Sequence, residues 1–173
     1  MKTNRFLLAS IAAAAGLTMS SAVLAATTLS GGTFGAKITI TANCLMSGSN
    51  VDLDFGSQSS NTASAANEST PAGFSVICTN GTAYQIGLQS TASGSTTGGV
   101  GTMKNGSNTI GYALFQDSGR TLAWGNSQVA TVNTKTATGS GVAQPYLVYG
   151  KTTSTLNVPA GAYTDTVAVS VYY

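Results

Sequence analysis

The chain has no histidine, one tryptophan, three prolines and two cysteines, and charged residues make up only 7% of it. Each scarcity excludes something. Without histidine there is no Ser-His or Cys-His arrangement to activate a nucleophile. Two cysteines with no histidine beside them make a poor metal site, so neither a metal nor a cofactor is expected. So few charges give no electrostatic footprint for nucleic acid or an anionic membrane surface. Beyond the first residues no apolar run approaches the ~18 residues a membrane-spanning helix needs. No stretch reads as an amphipathic helix of several turns, and no active site is apparent.

What is present begins with an address. Lys2 and Arg5 precede an apolar run from Phe6 to Leu17, and Val23-Leu24-Ala25 places compact residues where a leader is cut. This is the layout of a secretory signal peptide over residues 1–25, with Ser20-Ser21-Ala22 as the other candidate cut. Lys2 and Arg5 leave with it, taking seven basic residues to five against five acids, so the mature chain is neutral. Near-zero net charge favours association over colloidal stability.

The remainder, about 148 residues, suffices for one domain with one core. Its short apolar runs lie between clusters of Gly, Ser, Thr and Asn, which reads as an antiparallel all-β sandwich. The central stretch is Thr33 to Ala42, where Phe34, Ala36, Ile38 and Ile40 alternate with Gly35, Lys37, Thr39 and Thr41. Alternation of this kind places one apolar face opposite a small or polar one on a strand. By itself such a strand is most simply the first of a self-contained sandwich.

Further strands are expected at Val51–Phe55, from Phe74 to Cys78, at Ala83–Gln89, Val100–Lys104 and Asn108–Gln116, with short edge pieces at Leu122–Trp124 and Val129–Val132. Val142–Gly150 follows, with Pro145 implying an edge or bulge, and Asp165–Tyr173 closes the chain with Val167, Val169 and Val171 on one face. Ser47-Gly48-Ser49-Asn50 reads as a turn. Asn80-Gly81 and Asn105-Gly106 read as hairpin turns, the first being the strongest such signal. Both also match a glycosylation sequon, which turn chemistry explains without any sugar.

Cys44 and Cys78, in a secreted chain, predict one disulfide closing a loop of about 35 residues. Asp52 and Asp54, with Cβ atoms about 7 Å apart on a strand, mimic a carboxylate pair but read better as a solvated face. Trp124 and the seven tyrosines offer a rival reading as a sugar-binding platform on a monomeric sandwich, although such rings more often fill a core or its rim.

The opening strand, Val51-Asp52-Leu53-Asp54-Phe55-Gly56, Val76-Ile77-Cys78-Thr79-Asn80-Gly81, and the ending Pro159-Ala160-Gly161-Ala162-Tyr163-Thr164-Asp165-Thr166-Val167 through Tyr172-Tyr173 share one order and spacing. Together they resemble the spore coat protein U family, most closely the major pilin subunits of archaic, Csu-type chaperone–usher pili. The resemblance implies an immunoglobulin-like sandwich lacking its last strand, completed by the N-terminal extension of the next subunit. It assigns residues 26–41 as that donor extension and 42–173 as the sandwich. Phe34, Ala36, Ile38 and Ile40 become donor plugs, and Val167, Val169 and Val171 one wall of the acceptor groove. Tyr172 and Tyr173 fall where a periplasmic chaperone anchors such a subunit.

The partners implied are identical subunits head to tail, a chaperone, an outer-membrane usher and a separate tip adhesin. The implied location is the cell surface, reached through the periplasm, in a pilus serving attachment and biofilm formation. A coat or matrix protein of the same family is the other possibility. Gly31, Gly32, Gly35 and Ala36 make the donor thinner than a strand of large residues, leaving open the outermost plug and any part for Leu29.

Overall fold

The computed structural model describes residues 28–60, 69–92, 97–128 and 133–173. The predicted leader and the predicted piece at Val129–Val132 lie outside them. The chain divides into an N-terminal unit ending at Ile38 and a unit from Thr39 to Tyr173. The described part of the first, residues 28–38, belongs to no strand and every residue in it is exposed.

The second unit is all β. Its strands are β1 (Cys44–Val51), β2 (Ala72–Cys78), β3 (Ala83–Ser90), β4 (Val100–Asn105), β5 (Asn108–Phe115), β6 (Lys135–Thr138), β7 (Gln144–Thr152) and β8 (Val167–Tyr172). They form two antiparallel sheets in a sandwich, a five-stranded one in the order β1-β2-β7-β5-β4 and a three-stranded one in the order β6-β3-β8.

Period-two alternation builds the core. Phe74, Val76 and Cys78 of β2, Tyr84, Ile86 and Leu88 of β3, and Ile110, Tyr112 and Leu114 of β5 are buried, and every intervening residue but Gly87 is more open. Each strand thus gives one apolar face to the space between the sheets. Trp124 is buried as well, its ring near those of Phe74 and Tyr146 (centroids 6.0 and 6.4 Å) and its Nε1 donating to the Ile86 carbonyl at 2.9 Å.

Four expectations change. Asn80-Gly81 does form a turn, with Gly81 at φ 80°, but it joins β2 to β3, which lie in different sheets. Its Gly81 N–H donates to the Gly139 carbonyl, so the turn is pinned to the chain after β6 rather than closing a hairpin. The hairpin expected at Asn105-Gly106 does form. β4 and β5 pair from Val100↔Ala113 to Asn105↔Asn108, with Gly106 (φ 59°) and Ser107 as the two-residue loop. A left-handed φ at this position is what glycine adopts without a Cβ clash.

Second, Ser47 to Asn50 is no turn but the second half of β1, which carries a register irregularity between Ser47 and Val51. Third, the strand expected at Val51–Phe55 is absent: Val51 ends β1, and residues 52–55 run on outside any strand while Leu53 and Phe55 still pack on the core. Fourth, Thr33–Ala42 forms no strand in this chain. A strand needs ladder partners, and none pairs with it among the described residues.

Pro145 sits opposite Ser75 of β2, whereas β5 reaches β7 only from Tyr149 onward. The missing N–H therefore falls where β7 has a neighbour on one side, as a proline in a sheet requires.

Candidate functional site

Two features lack the partners their patterns demand. The first is the N-terminal segment. Phe34, Ile38 and Ile40 are 94%, 86% and 71% exposed, and Ala36 and Leu29 are exposed too. Leaving three large apolar side chains in water forgoes roughly 1.5–3 kcal/mol each.

The second is β8. It is the last strand of its sheet, paired with β3 on one side only. Val167, Val169 and Val171 stand opposite Ser90, Leu88 and Ile86 and pack on the core, which places all three on the inward face. Yet they are only half-buried, whereas Leu88 and Ile86, on a strand flanked by β6 and β8, are almost fully covered. Met46 of β1, an edge strand of the other sheet, is likewise inward by register (opposite Val76) but 44% exposed. Both sheets therefore end in a strand with unfinished apolar cover.

The start of β8 is held by Asp165. Its Oδ2 accepts hydrogen bonds from the hydroxyls of Ser90 and Tyr112, and its Oδ1 from the N–H groups of Thr166 (2.7 Å) and Ala92 (3.2 Å). Burial pushes the carboxyl upward, but these bonds outweigh it and hold Asp165 below the usual carboxylate range. Burial, and the facing Asp165, push the Tyr112 phenol well above the usual tyrosine value. The sequence offers no direct signal for this cluster beyond an aspartate just before a strand.

Val167, Val169 and Val171 are thus brought together along one edge. Tyr172 is not among them. It pairs with Gln85, on the opposite face from Val171, and its hydroxyl donates to Asn126 Oδ1 at 2.9 Å. Tyr172 and the exposed Tyr173 line an open cleft of about 750 Å³ with Ala83, Gln85, Thr136 and Thr138.

Cys44 and Cys78 are bonded, as expected, directly across the β1–β2 ladder. No group of three or more His, Cys, Asp or Glu residues able to hold a metal occurs among the described residues. Asp52 and Asp54 do not share a strand; the Asp54 carboxylate instead accepts from the Gly56 N–H at 2.7 Å, closing a turn. Trp124, at 1% exposure, cannot serve as a sugar platform.

The family model of the Spore Coat Protein U domain matches residues 30–170, which spans β1 to β7 and the first four of the six residues of β8. The chain belongs to the Spore Coat Protein U domain family. No curated protein matches it. Among solved structures this Spore Coat Protein U domain is similar to the CsuC–CsuE chaperone–tip adhesion subunit pre-assembly complex from archaic chaperone–usher Csu pili of Acinetobacter baumannii, with 22% identity and a TM-score of 0.46. The match covers 78% of this chain and 40% of that one, so the domain spans two-fifths of its neighbour.

Proposed function

We propose that this Spore Coat Protein U domain protein is a structural, non-catalytic subunit of a thin surface pilus, polymerising as each subunit lends residues 26–41 to the next. The observation that carries this reading is a matched deficit within one sequence. An alternating apolar segment stands exposed and unpaired, and β8 shows an open edge with its inward valines half-covered. A donated strand supplies main-chain bonds to such an edge and side chains to its pockets. Phe34, Ala36, Ile38 and Ile40 are the plugs, and Val167, Val169 and Val171 the wall they meet. Because donor and acceptor are different surfaces, the contact is heterologous and grows an open fibre instead of a closed dimer.

In this reading the other partners are those the family resemblance implies. A periplasmic chaperone occupies the edge first and meets Tyr172 and Tyr173, an outer-membrane usher exchanges it for the next subunit, and a tip adhesin ends a fibre used for attachment and biofilm formation. The predicted leader starts the route to the surface.

The test is gel migration in SDS of the secreted protein, unheated and boiled, beside a variant lacking Ala26 to Ile40. A ladder that collapses only on boiling, and vanishes in the deletion, is the expected result. A single monomer band under both conditions from a folded sample overturns the reading. A ladder that survives the deletion assigns assembly to another surface. Electron microscopy of the same material separates a pilus from an amorphous coat or matrix.

A further inference from the structure

The connections around residues 164–166 converge from three strands. Thr164 exchanges backbone hydrogen bonds with Lys104 of β4 (2.9 and 3.2 Å), and the Thr166 carbonyl accepts from the Thr91 N–H just past β3 (2.8 Å). Lys104 Nζ reaches back to the Ala92 carbonyl at 2.7 Å. At the centre the Asp165 carboxylate takes four donors, from Ser90 at the end of β3, Tyr112 of β5, Ala92 and Thr166. Ser90 and Tyr112 are each 2% exposed and Asp165 is half-buried, and their two bonds join the three-stranded sheet to the five-stranded one. Val167, opposite Ser90, follows two residues later.

A strand paired on one side only gains half the ladder bonds of an inner strand, so its placement rests on its ends. We propose that Asp165 is the positioning residue of the acceptor edge: its carboxylate fixes the start of β8 against both sheets, so that Val167, Val169 and Val171 keep their line while the outer side of β8 is empty. This rests on the donor–acceptor reading above and adds a residue to its acceptor half. The charge matters because all four surrounding groups donate to the carboxylate, and charge-assisted hydrogen bonds are stronger than neutral ones. Asparagine at 165 keeps one oxygen for the two backbone N–H groups but removes the charge, and the Ser90 and Tyr112 hydroxyls must turn from donating to accepting from its amide.

The role is one-sided, and the test uses that asymmetry in full-length chains. Asp165→Asn keeps an intact donor with a damaged acceptor, and Ile38→Asp keeps an intact acceptor with a damaged donor. Each alone is expected to lose the heat-sensitive ladder in SDS, Asp165→Asn by about tenfold and Ile38→Asp completely. Mixed, they are expected to give a heat-sensitive dimer that stops at two, the Asp165→Asn donor seated on the Ile38→Asp edge. Tyr112→Phe, which removes one of the four donors, gives the same pattern with a smaller loss. A wild-type ladder that Asp165→Asn leaves intact overturns the proposal, as does a native circular dichroism spectrum with no dimer in the mixture. If neither Asp165→Asn nor Tyr112→Phe folds, Asp165 is a folding residue and the proposal fails. A wild-type chain with no ladder strikes instead at strand donation itself.

Discussion

Val169 and Leu88 stand opposite each other across the β8–β3 ladder and share the inward face, yet Leu88 is 1% exposed and Val169 is only half-buried. The two side chains are chemically alike, so the difference lies in the strands. β3 has neighbours on both sides and β8 has one. Mutation separates the positions. Leu88→Ala removes a filled core position and is expected to cost about 2–5 kcal/mol in the free subunit. Val169→Thr keeps the shape at a half-open position and is expected to cost under about 1 kcal/mol there, measured by urea midpoint. In the fibre proposed above the same threonine would lie beneath a donated strand, and its buried hydroxyl should cost about 1–3 kcal/mol. The temperature at which the SDS ladder collapses reads that difference, and equal effects of Val169→Thr on monomer and fibre would show that nothing covers the strand.

The acid dependence of the subunit follows from Asp165. Its folded-state carboxyl lies below its ordinary value, despite burial, because of the donors from Ser90, Tyr112, Thr166 and Ala92. The folded state therefore binds the proton less well than the unfolded chain. The stability this contributes is fully present above the unfolded value of about 3.9 and is lost as pH falls through the folded value. Asp165→Asn should sit about 1 kcal/mol below the wild type at pH 7, the partly open carboxylate being screened by water, and the gap should close at strongly acidic pH, where both carry an uncharged group. The exposed Asp117 is also held low, first by the Leu122 N–H, but it is common to both chains and cancels. A gap of constant size from pH 7 into acid would show that the charge is not what matters.

Much of this fold was legible in the chain because burial in a two-layer sandwich writes itself as alternation. Phe74, Val76 and Cys78 announce β2, and Val167, Val169 and Val171 announce β8, with their faces correctly read. The β4–β5 hairpin was legible because both its strands and its turn are local. Asn80-Gly81 misled because a turn dipeptide fixes the local reversal, not which sheet the next strand joins. That choice was made by the Gly139 carbonyl, 58 residues on by sequence number. Val51–Phe55 alternates like a strand and buries Leu53 and Phe55, but after the irregularity in β1 it has no ladder. The proposed donor plugs rest on alternation and resemblance together, and the fold adds only that Phe34, Ile38 and Ile40 are exposed. Asp165 was visible only as part of a motif, since its side-chain partners lie 75 and 53 residues away.

The disulfide should matter most to β1. Cys44 and Cys78 are opposite each other in the β1–β2 ladder, and β1 lies at the edge of its sheet. The chain-entropy model values a closed loop of about 35 residues at roughly 4 kcal/mol. Cys44→Ser with Cys78→Ser should lower the urea-derived stability by about that amount, and dithiothreitol should do the same to the wild type. A loss below about 1 kcal/mol would mean that the β1 ladder and the Asn43–Thr79 hydrogen bonds hold the edge unaided.

Gly101 offers a way to disturb the Asp165 cluster without touching it. It is paired with Tyr112 in the β4–β5 ladder, and a Cβ added there would run into the Tyr112 ring and its hydroxyl. The ring must shift if alanine is to fit, and overpacking of this kind costs about 1–3 kcal/mol. Any such shift draws the phenol away from the Asp165 carboxylate it donates to at 2.6 Å. Gly101→Ala and Asp165→Asn should therefore be less than additive, because the first already spoils a bond the second removes. A double-mutant cycle on urea midpoints measures the shortfall, expected at about 0.5–2 kcal/mol. Strict additivity would mean that the ring yields by another route and that Tyr112 keeps its hold on the start of β8.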